Sequence, residues 1–437
     1  MRDFVEFYID DFQRLLNGIL EWGQGFNHFV LLNSNQDKCP GQLHQKYDLL
    51  AGAGSIKVCR TDSGENFARF KEFNQNHNDW IFGYLSYDLK NEIEILESQN
   101  FDGIGFNQML FFIPEYVFIL KHKKLRIEYF TGISNNLRIE EIFDKIYAAS
   151  IGAISNPLKN IDLKQRISYN EYIDIVSEII GQIKKGNLYE MNLCQEFYIE
   201  DVMVSPVDVY IQLNLISPAP YSCFLKENSR FLISSSPERF LLRNAGRIYS
   251  QPIKGTAPRG NDAESDLALK LKLENNEKER AENIMIVDLV RNDLSKTAET
   301  GTVRVDELCK IYSFRQVHQM VSTISSSPND KDYDLTDIIK SCFPMGSMTG
   351  APKIKAMQFI EFYEKTKRGL FSGSVGYIDP NKDFDFNVII RSILYNQDNK
   401  YLSYIAGSAI THQSNAQLEY EECLLKASGI FKTLFRD

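Results

Sequence analysis

Residues 247–256 read Arg-Ile-Tyr-Ser-Gln-Pro-Ile-Lys-Gly-Thr. A strand-like run, Arg247 to Ser250, delivers Lys254 into a turn that carries Gly255, Pro258 and Gly260. A turn between rigid elements is a good place for a reactive side chain. Taken alone, Lys254 reads as one more solvated lysine. To act as a nucleophile it must lose a proton held at about 10.4 in water, which requires desolvation or a nearby cation. Its neighbours have to decide between these readings.

Upstream, Ser234-Ser235-Ser236-Pro237-Glu238-Arg239 closes an apolar strand, Arg230 to Ile233, predicted to run beside the lysine turn. Glu238 suits a general acid for a departing hydroxyl; alone, an ion pair with Arg239 is the plainer reading. Two Glu-x-x-Glu pairs follow, Glu279 with Glu282 and Glu419 with Glu422, in helical patterns where residues three apart share a face. Either pair by itself reads as an acidic, solvated helix face. Four such carboxylates around an anionic substrate suit magnesium better than zinc, because magnesium prefers hard oxygen ligands and keeps water and substrate in its octahedron.

Gly346-Ser347-Met348-Thr349-Gly350-Ala351-Pro352-Lys353 is a flexible turn with Pro352 near the first position of a helix through Met357 and Ile360. Its backbone N–H groups suit a carboxylate, and it lacks the spacing of a Walker phosphate loop. Arg391, in a strand-like run, and Lys426, on the second acidic helix, are candidates to clamp a carboxylate. His318 reads by default as a core histidine.

Further outward, 43% hydrophobic residues spread evenly over 437 positions predict one large folded body. The first 150 residues mix strand-like runs (Phe29 to Leu32, Trp80 to Leu85, Tyr116 to Leu120) with helical stretches. Ser155 to Gln165 turns polar, and Ser168-Tyr169-Asn170-Glu171 forms a capping box before a helix that buries Ile175, Ile179 and Ile183 and stops at Gly186. A boundary near residue 160 is expected, dividing an N-terminal region, 1–160, from a larger region, 161–437. A net charge of −9 argues against a nucleic-acid partner. No apolar run approaches the roughly 20 residues of a membrane span, and residues 1–10 do not resemble a signal peptide. Seven cysteines without a C-x-x-C pair suggest neither a disulfide framework nor a zinc knuckle, so a reducing, cytoplasmic setting is expected.

In order, SSSPERF at 234–240, PIKGT at 252–256, ENIMIVDLVRNDL at 282–294, FPMGSMTGAPK at 343–353, AGSA at 406–409 and EYEECLLKA at 419–427 resemble the chorismate-utilising enzyme family. Leu31 to Ser34 and Gly83 to Asp88 extend the likeness, more weakly, into the N-terminal region. The resemblance implies an α+β fold: two large, mostly antiparallel β-sheets packed together with helices outside, and an active site in a cleft. It implies Mg2+ held by Glu282 and Glu422, with Glu279 and Glu419 beside them. It also implies substrate contacts from Gly255, Thr256, Arg391, Gly407, Ser408, Ala409 and Lys426, with His318 and Thr349 as neighbours.

Within the family, lysine at 254 resembles the branch that aminates chorismate to 4-amino-4-deoxychorismate, on the way to p-aminobenzoate and folate. Anthranilate synthases are similar but carry alanine there. The implied chemistry is attack by Lys254 on the ring carbon next to the carboxylate-bearing one, loss of the hydroxyl aided by magnesium and Glu238, and entry of ammonia with expulsion of Lys254. Alternatives are anthranilate synthase component I, isochorismate synthase, or a silent chorismate- or tryptophan-binding regulator. Three positions depart from the pattern. Glu190 stands where aminating relatives show glutamine and isochorismate synthases a lysine, Ala257 replaces an arginine, and Phe371 replaces a tyrosine. No cysteine sits in a glutaminase-like elbow, so ammonia is expected from a separate glutamine amidotransferase subunit in a heterodimer. Ser34, Pro220, Tyr221 and Ser222 resemble segments that hold tryptophan in relatives.

Overall fold

The apolar runs are strands buried on both faces. In His28–Asn33, Phe29 and Leu31 point to a helix-covered core while Val30 points into a second core, so alternate side chains serve two layers. The computed structural model describes all residues except 40–43, 61–63, 150–161, 315–316 and 436–437. The boundary expected near residue 160 therefore lies outside the described residues. Strands from either side of it enter both sheets.

The fold is α+β, as the resemblance implied. A 12-stranded sheet runs, from one edge, Arg2–Tyr8, Lys124–Phe130, Tyr116–Lys121, Leu49–Ala53, His28–Asn33, Tyr221–Glu227, Arg230–Ser236, Ser392–Asn396, Tyr401–Ile410, Glu190–Ile199 and Gly350–Ala351, with Lys164–Gln165 also on Glu190–Ile199. A 10-stranded sheet runs Ile253–Pro258, Val317–Ser326, Arg247–Gln251, Arg239–Asn244, Phe384–Asn387, Ser374–Ile378, Ile81–Leu85, Met109–Ile113 and Lys57–Arg60, with Arg304–Ser313 on Val317–Ser326. Pairings around the site are antiparallel in both. Val30, Leu225 and Leu232 of the first sheet meet Phe82, Tyr84 and Phe112 of the second in the core between them. Helices cover the outer faces, among them Phe12–Gly23 and Ala416–Phe435 on the first sheet and Asn66–Asn76 and Leu335–Cys342 on the second.

Local signals landed with small corrections. The Ser168 side chain accepts the Glu171 N–H and starts the helix Tyr169–Lys184, and Gly186 follows at φ 80°. Its most buried face is Tyr172, Val176 and Ile179; Ile175 and Ile183 flank it. Pro352 is the N-cap of the helix Lys353–Tyr363. The strand Arg230–Ser236 does not run beside the lysine turn: it belongs to the first sheet and Ile253–Pro258 to the second. The chain changes sheets at Pro237-Glu238, which puts Glu238 at the crossing. All seven cysteines are buried and none is in a disulfide.

Candidate active site

The lysine turn is the strand Ile253–Pro258 at the edge of the second sheet, in register with Val317–Ser326 apart from an irregularity between Ile253 and Thr256. Gly255 lies in that irregularity with φ 87°, a conformation that favours glycine, and a Cβ there would come 3.0 Å from Glu279 Oε2. The turn is thereby pressed against the first acidic helix, Glu277–Ser295.

Lys254 is enclosed and ion-paired. Its Nζ donates to Glu190 Oε1 at 2.7 Å, with side-chain exposures of 10% and 0%. Burial alone would depress the lysine; the Glu190 carboxylate, with Glu282 and Glu238 further off, more than offsets it and holds the ammonium above its usual range. The residue noted as a departure is thus the lysine's partner, and in this state Lys254 is a paired ammonium.

Glu238 is buried, and burial pushes its carboxyl up to about 7 against the lowering effects of the Ser347 hydroxyl and the Lys254 charge. Ser347 Oγ donates to Glu238 Oε1 at 2.7 Å. Arg239 does not pair with Glu238; it forks onto Asp385 at 2.9 Å and donates to Gln251 at 2.7 Å. Arg391 is in the left-handed region at φ 51° and its guanidinium has no hydrogen-bond or ion-pair partner among the described residues, while its charge reaches Glu238. A half-buried cation so placed is open to an anion.

The two acidic pairs face one another across a gap bridged by Lys278, whose Nζ is 3.8 Å from Glu282 Oε1 and 3.5 Å from Glu419 Oε1. Glu282 is driven up to about 7 by burial, and Glu279 is also raised, by burial and then by Glu422. Burial raises Glu422 as well, but Lys426 at 2.7 Å outweighs it and leaves that carboxyl below its usual range. Glu282 Oε1 and Glu419 Oε2 are buried without a hydrogen-bond partner among the described residues. Among the described residues no three His, Cys, Asp or Glu side chains form a ready-made metal cage. Under-satisfied hard oxygens on two facing helices nonetheless fit a magnesium ion that keeps waters and substrate oxygens as ligands.

The first sheet supplies the other wall. Asn192 pairs with Ala409 and Cys194 with Gly407, so those residues share the face of Glu190. A Cβ on Gly407 would meet Leu193 O at 2.2 Å. Ser408 points to the opposite face, where its hydroxyl lies 3.2 Å from that of Tyr172, so its side chain is not brought toward Lys254. Lys426 Nζ also donates to Gly407 O at 3.1 Å. Thr349 turns its hydroxyl back onto Met345 O at 3.1 Å. His318 is fully buried opposite Ala257, its ring nitrogens 2.8 Å from Ser313 Oγ and 3.0 Å from Asp266 Oδ1. Ser34, Pro220, Tyr221 and Ser222 line one separate pocket, together with Lys46 and Tyr377.

Residues 28–432 match the family model described as chorismate binding enzyme. The chain belongs to the chorismate binding enzymes. A protein of Oryza sativa subsp. japonica named probable aminodeoxychorismate synthase, chloroplastic, is 35% identical over 387 residues, which are 80% of this chain and 43% of that protein, so the chain spans less than half of that relative. An anthranilate synthase component 1 of Mycolicibacterium smegmatis is 32% identical over 376 residues, 81% of this chain and 71% of that one. The crystal structure of anthranilate synthase component I from Streptococcus pneumoniae TIGR4 superposes with a TM-score of 0.76 at 25% identity, covering 89% of this chain and 92% of that chain. Among the described residues of this chorismate binding enzyme no helix is long and apolar enough to cross a membrane.

Sequence reasoning did not find Ser347, Lys278 or the pairing of Glu190. Ser347 lies within a quoted motif, read there only for its backbone, and Lys278 adjoins an acidic pair, but Glu190 lies 64 positions from Lys254 and no local pattern connects them.

Proposed function

We propose that this chain aminates chorismate to 4-amino-4-deoxychorismate in the cytoplasm, on the route to p-aminobenzoate and folate, with ammonia from a separate glutamine amidotransferase subunit. The observation that carries the reading is the convergence on Lys254 of Glu190, Glu238 and Glu282, whose charges all bear on its ammonium. A relative named for aminodeoxychorismate synthesis supports the branch.

In this reading Arg391 takes a substrate carboxylate, and Gly255, Thr256, Gly407 and Ala409 offer backbone against the substrate. Lys426 orders Glu422 and Gly407. Lys254 forms a bond to the ring carbon beside the carboxylate-bearing one. Glu238, protonated near neutrality, donates to the departing hydroxyl, and ammonia then enters at the carbon that held the hydroxyl and expels Lys254 from its own carbon. Glu282 and Glu422, backed by Glu279 and Glu419, would hold Mg2+, which supplies charge neutralisation for the substrate carboxylate. The pocket at Ser34, Pro220, Tyr221 and Ser222 would take tryptophan, which titration calorimetry tests directly.

The deciding experiment is product analysis with chorismate, Mg2+ and ammonium, comparing wild type with Lys254→Ala. Aminodeoxychorismate without pyruvate, lost in the variant, is the expected result. Anthranilate with pyruvate, or isochorismate, places the chain in another branch, and no turnover favours a silent binder.

A further inference from the structure

We propose that Glu190 is the proton acceptor for Lys254, taking the proton that must leave before the nitrogen attacks and returning it when the nitrogen is expelled. The inference rests on the reading of Lys254 as nucleophile. Among the described residues, Glu190 is the one carboxylate within ion-pair distance of Nζ. Glu282 from the first acidic helix and Glu238 from the sheet crossing bear on the lysine from further away, as it bears on Glu279 and Glu422.

The contrast with another deeply buried pair, Arg368 with Glu364, is informative. Arg368 grips Glu364 with two donors, at 2.6 and 2.9 Å, and the Cys194 N–H adds a third at 2.9 Å, so both carboxylate oxygens are used. Saturation of that kind is what a structural buried pair needs. The Glu190 carboxylate accepts a single hydrogen bond, and its Oε2 is buried with no hydrogen-bond partner among the described residues. An unfilled lone pair on an enclosed carboxylate is costly, and protonation relieves that cost. Proton transfer along the 2.7 Å bond turns a desolvated ion pair into a neutral acid and a neutral amine, and so relieves both desolvation penalties.

The backbone holds Glu190 still for this work. It opens the strand Glu190–Ile199 opposite Ala351, Tyr189 N donates to Ala351 O at 2.8 Å, and a Cβ on Gly350 would come 2.2 Å from Glu190 O.

The step balances without an oxidant. Glu190 carboxylate and Lys254 ammonium become carboxylic acid and amine. The amine lone pair forms the C–N bond, electrons move through the ring double bonds, and the C–O bond breaks as Glu238 gives the hydroxyl its proton, releasing water. Ammonia then bonds to that carbon, the electrons return, and the Lys254 C–N bond breaks. The freed amine recovers its proton from Glu190, and the new ammonium returns one to Glu238.

The test is the amination rate of the full chain with chorismate and Mg2+ from pH 6 to 9.5, at fixed free ammonia, for wild type, Glu190→Gln, Glu190→Asp and Lys254→Ala. Glu190→Gln is expected to lose roughly 10²–10⁴-fold at pH 7. Its rate relative to wild type should climb with pH, because Lys254 must then release its proton to solvent. Glu190→Asp, which keeps a carboxylate, should recover part of the rate with the wild-type pH dependence, and it carries the test if the glutamine variant does not fold. A loss in Glu190→Gln that is equal at every pH makes Glu190 a structural partner and overturns the proposal; an unchanged rate overturns it too. Undiminished amination by Lys254→Ala overturns the nucleophile reading instead, whatever Glu190 does.

Discussion

Ser347 donates its hydroxyl to Glu238 at 2.7 Å, so the turn Gly346–Met348, expected from sequence to hold a ligand's carboxylate, holds one of the protein's own. The bond stabilises the ionised form of Glu238 and opposes the burial that pushes it up to about 7. Ser347→Ala should therefore raise Glu238 further. If Glu238 acts as the acid, the rate falls as pH rises through its titration, and that falling limb should move upward by about one pH unit in the variant. A kcat profile measures it; a limb that stays in place argues that another group is the acid.

Removing the carboxyl separates catalysis from stability. Glu238→Gln should lose roughly 10²–10⁴ in kcat. The stability effect has a definite sign: the folded carboxyl titrates at about 7 and the unfolded one near 4.5, so the native state binds more protons in that window and stability falls as pH rises through it. Glu238→Gln escapes this penalty, gaining about 3 kcal/mol at pH 8 and little at pH 4. Urea unfolding at the two pH values checks both halves.

Arg368 tests the scaffold behind the site. It donates to Met348 O at 2.7 Å and Asn192 O at 3.2 Å while gripping Glu364, tying the Ser347 turn to the strand that begins with Glu190. Arg368→Met leaves Glu364 buried and unpaired, and should cost about 3–5 kcal/mol in denaturant unfolding. Arg368→Met with Glu364→Gln should recover much of that loss, since the stranded charge is gone. No recovery would show that the backbone contacts matter more than the charge.

What was legible in the sequence is what local physics controls. The strand-like runs, the Ser168 cap, the proline before Lys353 and the shared face of each Glu-x-x-Glu pair follow from periods of two and 3.6 and from terminal hydrogen bonds. The two-sheet arrangement came from resemblance, because alternation says which faces are buried but not against what. Relations made by chain crossing were out of reach. The jump of the chain between sheets at Glu238, the outward turn of Ser408 toward Tyr172 and the seizure of Lys254 by Glu190 each depend on register between distant strands.

Lys278 is the remaining test, because it stands where two acidic helices meet. Its ammonium is 3.5 Å from Glu419 and 3.8 Å from Glu282 and lies in the field of Glu422 and Glu279 as well, yet it is about two-fifths exposed and free to swing out. A mobile cation among carboxylates competes with a divalent ion for the same oxygens. Replacing it with an uncharged side chain of similar length removes both the competitor and part of the compensation available without metal, leaving Lys426 on Glu422 and the more distant Lys254. Lys278→Met should therefore bind Mn2+ or Mg2+ roughly tenfold more tightly by calorimetry, a change expected from loss of one screened charge at this range. The metal-free variant should melt lower than metal-free wild type, and added magnesium should raise its melting temperature by more. Lys278→Arg keeps the charge and should behave like wild type in both measurements. Equal affinities in the methionine variant and wild type would mean that the metal draws on oxygens Lys278 does not guard, and the pairing of Glu282 with Glu422 as ligands would then need revision.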